Sequence, residues 1–248
     1  MGAALLETFH DEGIEVLLKT QILEVEGRSG QQVHLHANDP DGERTIEGTD
    51  LLIATGRTPN TQSIGLDQAG VECDERGYIK VNERLETTAA NVWAMGDCAG
   101  SPQFTHVAYD DFRVVYENLT GGNRTTRNRL APFCMFTDPE FVRVGRNESE
   151  ARSDGIKYRL ATMPMAEILR TRTISAPRGF LKMLIGAQSD EILGFTAFGA
   201  EASELLAAIQ TAIIGHLPFT TLRDAIFTHP AVSEGLIGLL SQVGDCKG

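Results

Sequence analysis

The chain has 248 residues, of which 42% are hydrophobic and 23% charged, and its 22 basic against 34 acidic side chains give a net charge of −12. This composition is typical of a globular protein rather than a disordered one, and the negative charge argues against nucleic acid or a membrane surface as a partner. Because no apolar run approaches the ~18 residues of a membrane span and the first residues, MGAALLETFHDEG, do not have the pattern of a secretory signal, we expect a soluble, cytoplasmic protein.

The first stretch, residues 1–57, is predicted to form a helix, a strand, a hairpin and a further strand. An apolar stripe of Leu5, Leu6 and Phe9 ends at Gly13, as a helix with a glycine C-cap would. A strand is predicted within 14–26, and the arms VHLHA and RTIEG enclose a polar turn, NDPDGE. The continuous apolar run DLLIA (50–54) predicts a strand buried on both faces of a parallel sheet.

The second stretch, residues 58–127, begins with the predicted loop RTPNT. Its centre, NVWAMGD, predicts another short buried strand, which ends at Gly96 and Asp97. The following segment, THVAYDDFRVVYENL, predicts a helix with Thr105 as its N-cap and Gly121-Gly122 as its stop.

The third stretch, residues 128–248, mixes strand and helix patterns. GFLKMLIGA and EILGFTAFG predict paired strands, and EASELLAAIQTAIIGH predicts an apolar helix that ends at Gly215. Two short helices, TTLRDAIF and VSEGLIGLLSQV, flank Thr228-His229-Pro230. The chain as a whole therefore predicts an α/β part followed by an α+β part.

The four cysteines lie far apart and form neither a CxxC nor a CxxxxC pair, nor a cluster with histidine; they are Cys73, Cys98, Cys134 and Cys246. A zinc site needs closely spaced ligand pairs, and a common redox dithiol needs a short spacing. We therefore expect ordinary thiols and no metal site.

Two glycines directly follow the predicted buried strands, in ATGRTPN (54–60) and AMGDCAG (94–100). In open α/β sheets, ligands bind at the carboxyl ends of strands, where glycine lets the backbone approach a ligand closely. Asp97 adds a carboxylate that suits a sugar-type hydroxyl. Taken alone, a strand that ends in Gly-Asp more commonly carries an ordinary turn carboxylate.

The segment FTHPAVSEGL (227–236) places His229 five residues before Glu234. Proline restrains the residue that precedes it, and a nearby glutamate can orient one ring nitrogen while the other exchanges a proton near neutral pH. The alternative is a helix that merely starts after His-Pro, with Glu234 in its solvated first turn.

Five segments, in this order, resemble the pyridine nucleotide–disulfide oxidoreductase family, which includes dihydrolipoamide dehydrogenase, glutathione reductase and mercuric reductase. They are DLLIATGRTPNT, YIKVNERLETTAANVWAMGDCAG, PQFTHVAYDDFRV, FTDPEFVRVG and FTHPAVSEGL. The resemblance implies the C-terminal parts of an NAD(P)-binding domain (1–57) and an FAD-binding domain (58–127), followed by a complete dimerisation domain (128–248).

The resemblance also assigns cofactor-binding residues. Gly56 and, more weakly, Ile22 match positions near the nicotinamide cofactor. Gly96 and Asp97 match the residues that approach and hydrogen-bond the ribityl chain of FAD. A further segment matches the lead into a helix whose positive N-terminus faces the flavin ring; it comprises Gln103, Phe104, Thr105 and His106.

The catalytic assignment by resemblance is an acid–base pair, His229 with Glu234, which serves the redox dithiol of the other subunit of a homodimer. Electrons would pass from NAD(P)H through FAD to a disulfide or similar small acceptor. We also expect a cis His229–Pro230 bond, because the family presents this histidine from a tight turn.

Departures from the family pattern leave two functions open. No GxGxxG fingerprint and no CxxxxC pair occurs in the 248 residues. The tail QVGDCKG carries only Cys246, whereas mercuric reductases carry paired cysteines there, so mercury is unsupported as a substrate. The chain is either part of an FAD-dependent oxidoreductase or a truncated, non-catalytic dimerisation module. In both cases we expect weak or absent FAD binding by the chain alone.

Overall fold

A computed structural model of the chain describes residues 2–243. The chain forms two compact units that divide after Asn60, and each is described here by itself. Whether residues 58–127 and 128–248 act as separate domains stays a prediction.

The first unit consists of one helix and a three-stranded antiparallel sheet. Helix α1 spans Gly2–Asp11, and the strands are β1 (Gln21–Arg28), β2 (Gln32–Asp39) and β3 (Gly42–Gly48), in the order β1-β2-β3. The predicted hairpin is confirmed, with Asp39 opposite Gly42 across the turn.

The prediction of a buried strand at 50–54 is wrong. These residues form no strand, and Leu52 and Ile53 are 89% and 74% exposed. A continuously apolar strand becomes buried only when neighbouring strands and covering helices flank it. In the first unit, the Ser29 hydroxyl accepts a hydrogen bond from the Leu51 N–H and donates one to the Asp50 carboxylate.

Residues 61–104 of the second unit are mostly irregular, and the predicted strand at NVWAMGD is also wrong. Trp93 makes an isolated bridge to Glu86, without a continuous ladder, and Gly96 begins a short 3-10 helix, Gly96–Ala99. Of the apolar run, Ala94 packs into a small cluster with Val71 and Ile79.

Helix α2 spans Thr105–Leu119. Its N-cap is Phe104 rather than the predicted Thr105, because Phe104 has the extended backbone (φ −130°, ψ 138°) that marks the residue before the first helical one. The helix ends before Gly121, which has the positive φ of 91° expected of a stop.

A five-stranded antiparallel sheet forms the centre of the second unit, in the order β4-β5-β8-β7-β6. Its strands are β4 (Phe133–Met135), β5 (Glu140–Gly145), β6 (Tyr158–Pro164), β7 (Phe180–Gly186) and β8 (Ile192–Gly199). The predicted β7–β8 pairing is confirmed. Helices α3 (Glu148–Ser153) and α4 (Leu169–Thr173) lie in the β5–β6 and β6–β7 connections.

Three helices follow the sheet: α5 (Ala202–Ile214), α6 (Phe219–Arg223) and α7 (Gly235–Ser241). Their apolar side chains join those of the sheet in one large core, which includes Phe195, Ile209, Phe219 and Leu239. Helix α6 is shorter than the predicted 220–227, since the chain turns after Asp224 and leaves Ile226 fully exposed. Within residues 2–243, no helix has the length and apolar character needed to cross a membrane.

Candidate functional site

His229 and Glu234 lie in direct contact at the start of the last helical segment. Nδ1 of His229 is 2.9 Å from Oε1 and 3.1 Å from Oε2 of Glu234, and the His229–Pro230 bond is cis, as predicted. The histidine side chain is 64% exposed and that of Glu234 28%. A neutral imidazole that donates from Nδ1 carries its lone pair on Nε2, so the carboxylate selects the tautomer whose outer nitrogen accepts a proton.

Glu234 is itself held in place by the backbone. Its Oε2 accepts a hydrogen bond of 3.0 Å from the Ala231 N–H, in the 3-10 turn Val232–Glu234 that precedes α7. The hydrogen bond from Ala231, and after it the one from His229, lower the pKa of Glu234 below its usual range. The carboxylate is therefore ionised at neutral pH and accepts the hydrogen bond from Nδ1 of His229.

The lowered pKa of Glu234 gives a pH-dependent prediction. Hydrogen bonds to the carboxylate contribute stability above the pKa of Glu234 in the unfolded chain, and this contribution is lost as the pH falls through the lowered pKa of the folded chain. A carboxyl-detected NMR titration should give a lower midpoint for Glu234 in the folded chain than in the free peptide FTHPAVSEGL. Equal midpoints would show that the two hydrogen bonds do not persist in solution.

Gly96 occupies a tight position behind the exposed side chain of Asp97. Gly96 is buried with φ +73°, and a Cβ atom there would lie 3.4 Å from the Cβ of Ala108 on α2. Its N–H donates a 2.7 Å hydrogen bond to Oδ2 of Asp111, one turn further along α2. This bond fixes the Gly96–Asp97 backbone against the helix.

Asp111, which holds Gly96 in place, is not among the site residues predicted from the sequence. Its side chain is fully buried, and Oδ1 accepts a 2.5 Å hydrogen bond from Nη2 of Arg129. A signal was available in the sequence, because Val107, Asp111 and Val114 follow helical spacing and all three are buried. A carboxylate on the apolar stripe of a helix needs a buried partner.

The side chains of Gln103, Phe104 and His106, just before α2 and in its first turn, contact other residues of the second unit. Gln103 Nε2 donates to the Tyr78 hydroxyl at 3.4 Å, and the rings of Phe104 and His106 stack at 5.2 Å between centroids. His106 Nε2 donates to the Pro132 carbonyl at 2.9 Å. Thr105 is exposed, and no side chain caps the helix at Phe104, so the first N–H groups of α2 are open to an electron-rich group.

The two predicted nicotinamide-side residues lie in the first unit. Gly56 has φ +126°, a conformation that favours glycine, and among the described residues no atom other than those of its chain neighbours lies within 4 Å of the place that a Cβ would occupy. Ile22 is half-exposed on β1, opposite Ala37.

No group of three or more His, Cys, Asp or Glu side chains within residues 2–243 is arranged to hold a metal ion. Cys73, Cys98 and Cys134 are free, half-buried thiols; burial, and after it the charge of Glu140, raises the pKa of Cys134. Cys246 lies outside the described residues.

Comparison with known proteins gives a consistent match along the chain. The family model for pyridine nucleotide-disulphide oxidoreductase matches residues 1–111, and that for the dimerisation domain of the same family matches residues 131–238. The chain is 37% identical over 235 residues to the probable pyridine nucleotide-disulfide oxidoreductase RclA of Escherichia coli, which covers 94% of this chain and 52% of that protein. It is 34% identical to a dihydrolipoyl dehydrogenase of Thermus scotoductus, over 95% of this chain and 51% of the relative.

Solved structures agree with these matches. The HOCl-induced flavoprotein disulfide reductase RclA of Escherichia coli superimposes with a TM-score of 0.89 at 35% identity, covering 98% of this chain and 55% of that one. LpdA of Mycobacterium tuberculosis superimposes with a TM-score of 0.87 at 26% identity, covering 97% of this chain and 52% of that one. The chain thus spans about half the length of the relatives it matches.

Proposed function

We propose that this chain, which belongs to the pyridine nucleotide-disulphide oxidoreductase family, forms part of an FAD-dependent enzyme that passes electrons from NAD(P)H to a disulfide or similar acceptor. The observation that carries the proposal is the hydrogen bond between His229 and Glu234. An exposed imidazole with one nitrogen hydrogen-bonded to a half-buried carboxylate is a suitable group for exchanging protons with a thiol of a substrate or of a second subunit.

His229 would act through Nε2, and Glu234 would act through His229. Glu234 holds the ring orientation and the tautomer, and its negative charge stabilises the imidazolium that forms when Nε2 takes up a proton. Donation of that proton back to a thiolate completes the exchange. Because Ala231 also binds the carboxylate, Glu234 stays in position while the imidazole changes its charge.

The residues on α2 and before it suit part of a flavin site. Gly96 gives close backbone access and Asp97 an exposed carboxylate for ribityl hydroxyls, and the uncapped N-terminus of α2 after Gln103 and Phe104 favours an electron-rich ring edge. When bound, FAD would supply the electron carrier between NAD(P)H and the acceptor. On the nicotinamide side, Gly56 and Ile22 remain the candidates.

A non-catalytic dimerisation module is the second candidate function. The observation that favours it is the match of residues 131–238 to the family's dimerisation domain. The large core around Phe195 and Ile209 shows that the dimerisation-domain match covers a well-packed unit.

Flavin binding separates the two candidates. The purified chain alone should hold little or no FAD, because Asp97 and the start of α2 cannot replace a diphosphate loop. Fusion to the part of the Escherichia coli relative that this chain does not match should restore visible flavin absorbance and its bleaching by NAD(P)H. A fusion that folds but stays colourless would favour the dimerisation module; stoichiometric FAD on the chain alone would contradict the expected weak binding.

Self-association is expected of the second unit. We predict a two-fold homodimer, since residues 131–238 match the family's dimerisation domain and a closed dimer is the commonest oligomer. Sedimentation velocity at micromolar concentration should show a single dimeric species. A clean monomer over that range would contradict this prediction whatever the result of the flavin experiment.

A further inference from the structure

A cleft of about 430 Å³ in the second unit is lined by one face of α2, the segment 124–132 and the end of α5. Among the described residues that line it, the charged ones are four arginines and a single carboxylate: Arg113, Arg124, Arg127, Arg129 and Asp110. This concentration of guanidinium groups is unusual for a chain with a net charge of −12.

Three of the arginines share Asp110. Arg124 Nη2 lies 2.7 Å from Oδ1, Arg129 Nε 3.3 Å from Oδ2, and Arg113 Nη1 3.5 Å from Oδ1. One carboxylate cannot neutralise three guanidinium groups. Arg113, with the longest contact and 53% exposure, has the most donors left for another acceptor.

The remaining carboxylates do not remove the excess charge. The Asp111 carboxylate binds Nη2 of Arg129, whose buried Nε has no acceptor in hydrogen-bond geometry. Glu83 pairs with Arg127 at 2.6 Å. Four guanidinium groups therefore face three carboxylates. The cleft carries a net positive charge and an incompletely satisfied buried N–H.

The same cleft has apolar lining from each of its elements, including Val107 on α2, Leu130 and Pro132 in the connecting segment, and Ile214 on α5. Its volume is within the range of small-molecule sites, which combine an apolar lining with a few polar groups. A ligand suited to both parts has an anionic group at one end and an apolar body.

We propose that this cleft binds a small organic phosphate. Planar guanidinium groups on two different segments match the several oxygens of a phosphate, and a dianion accepts from more than one of them. Arg113 and Arg127 are the exposed arginines that can turn to the ligand without breaking the buried pairs of Arg129. The apolar side chains contact the organic part. This inference is independent of the proposed redox function.

Calorimetric titration of the whole 248-residue chain at low ionic strength tests the proposal, with phenyl phosphate, inorganic phosphate and phenol as probes. Phenyl phosphate should bind saturably and more tightly than either of the other two. The double variant R113Q/R127Q should weaken it by at least about tenfold, in line with the loss of charge-assisted hydrogen bonds. R172Q, an exposed arginine of α4 outside the cleft, is the matched control and should bind as the parent does.

Four outcomes would overturn the proposal: no saturable heat from phenyl phosphate, equal affinity for phenyl phosphate and inorganic phosphate, an unchanged affinity of R113Q/R127Q, or equal weakening by R172Q. Thermal melting followed by circular dichroism checks that each variant is folded. If R113Q/R127Q loses its melting transition, R113Q alone carries the test, with a several-fold weakening expected and an unchanged affinity contradicting the proposal.

Discussion

Changing His229 to glutamine should lower turnover by roughly 10²–10⁴-fold, the usual contribution of a general acid–base group. The experiment uses the chain fused to the part of the Escherichia coli relative that it does not match. Reduction of the flavin by NAD(P)H should stay nearly unchanged, because proton exchange with thiols occurs after hydride transfer. Stopped-flow flavin reduction and steady-state turnover, measured on the same variant, separate the two steps.

Glu234→Gln should do less harm than His229→Gln. The amide keeps a hydrogen-bond partner for Nδ1 but removes the charge that stabilises the imidazolium. The two defects should not add, since both residues act on one proton. His216→Gln, an exposed histidine just after α5, is the control and should leave turnover unaltered. If His229→Gln leaves turnover within a factor of a few, the histidine is structural.

Asp111→Ala should lower the free energy of unfolding by about 3–5 kcal/mol, the usual cost of removing one partner of a buried ion pair. The change leaves the Gly96 N–H and Nη2 of Arg129 without the carboxylate that accepts their hydrogen bonds, at a fully buried position. Urea unfolding followed by circular dichroism measures the loss.

Glu117→Ala provides the matched control for Asp111. It removes a carboxylate from an exposed position of the same helix, so its effect should stay within about 0.5 kcal/mol. A loss of less than about 1 kcal/mol for Asp111→Ala would show that the Gly96 and Arg129 contacts contribute little to stability, below the range expected of a broken buried pair.

The sequence predicts those elements whose pattern is local. The hairpins and the helices α2 and α5 are recognisable because side-chain period, turn residues and stop signals all lie within the element. The apolar runs at 50–54 and 92–95 fail as strands because a buried strand is defined by what lies beside it. Leu52 and Ile53 carry the residue types of such a strand and are exposed here.

The contacts of the candidate site also differ in whether they are local in sequence. The spacing of His229, Pro230 and Glu234 is a local signal, and the structure has the hydrogen bond that this spacing allows. Asp111 acts across the fold, on Gly96 and on Arg129, neither of which is its neighbour in sequence. The pairing of a buried carboxylate can be inferred from a helical stripe, but its partners depend on how the elements pack.

The strand order β4-β5-β8-β7-β6 sets a sequence of events during synthesis. Of the five strands in this sheet, β4 and β5 leave the ribosome first. Strand β5 nevertheless pairs with β8, whose last residue, Gly199, emerges after α3, β6, α4 and β7 have been made. At about 5–20 residues per second, the free edge of β5 waits roughly 3–10 s for its partner. We expect the β7–β8 hairpin to form locally and early, and closure of the sheet on β5, the non-local pairing, to be the slower step.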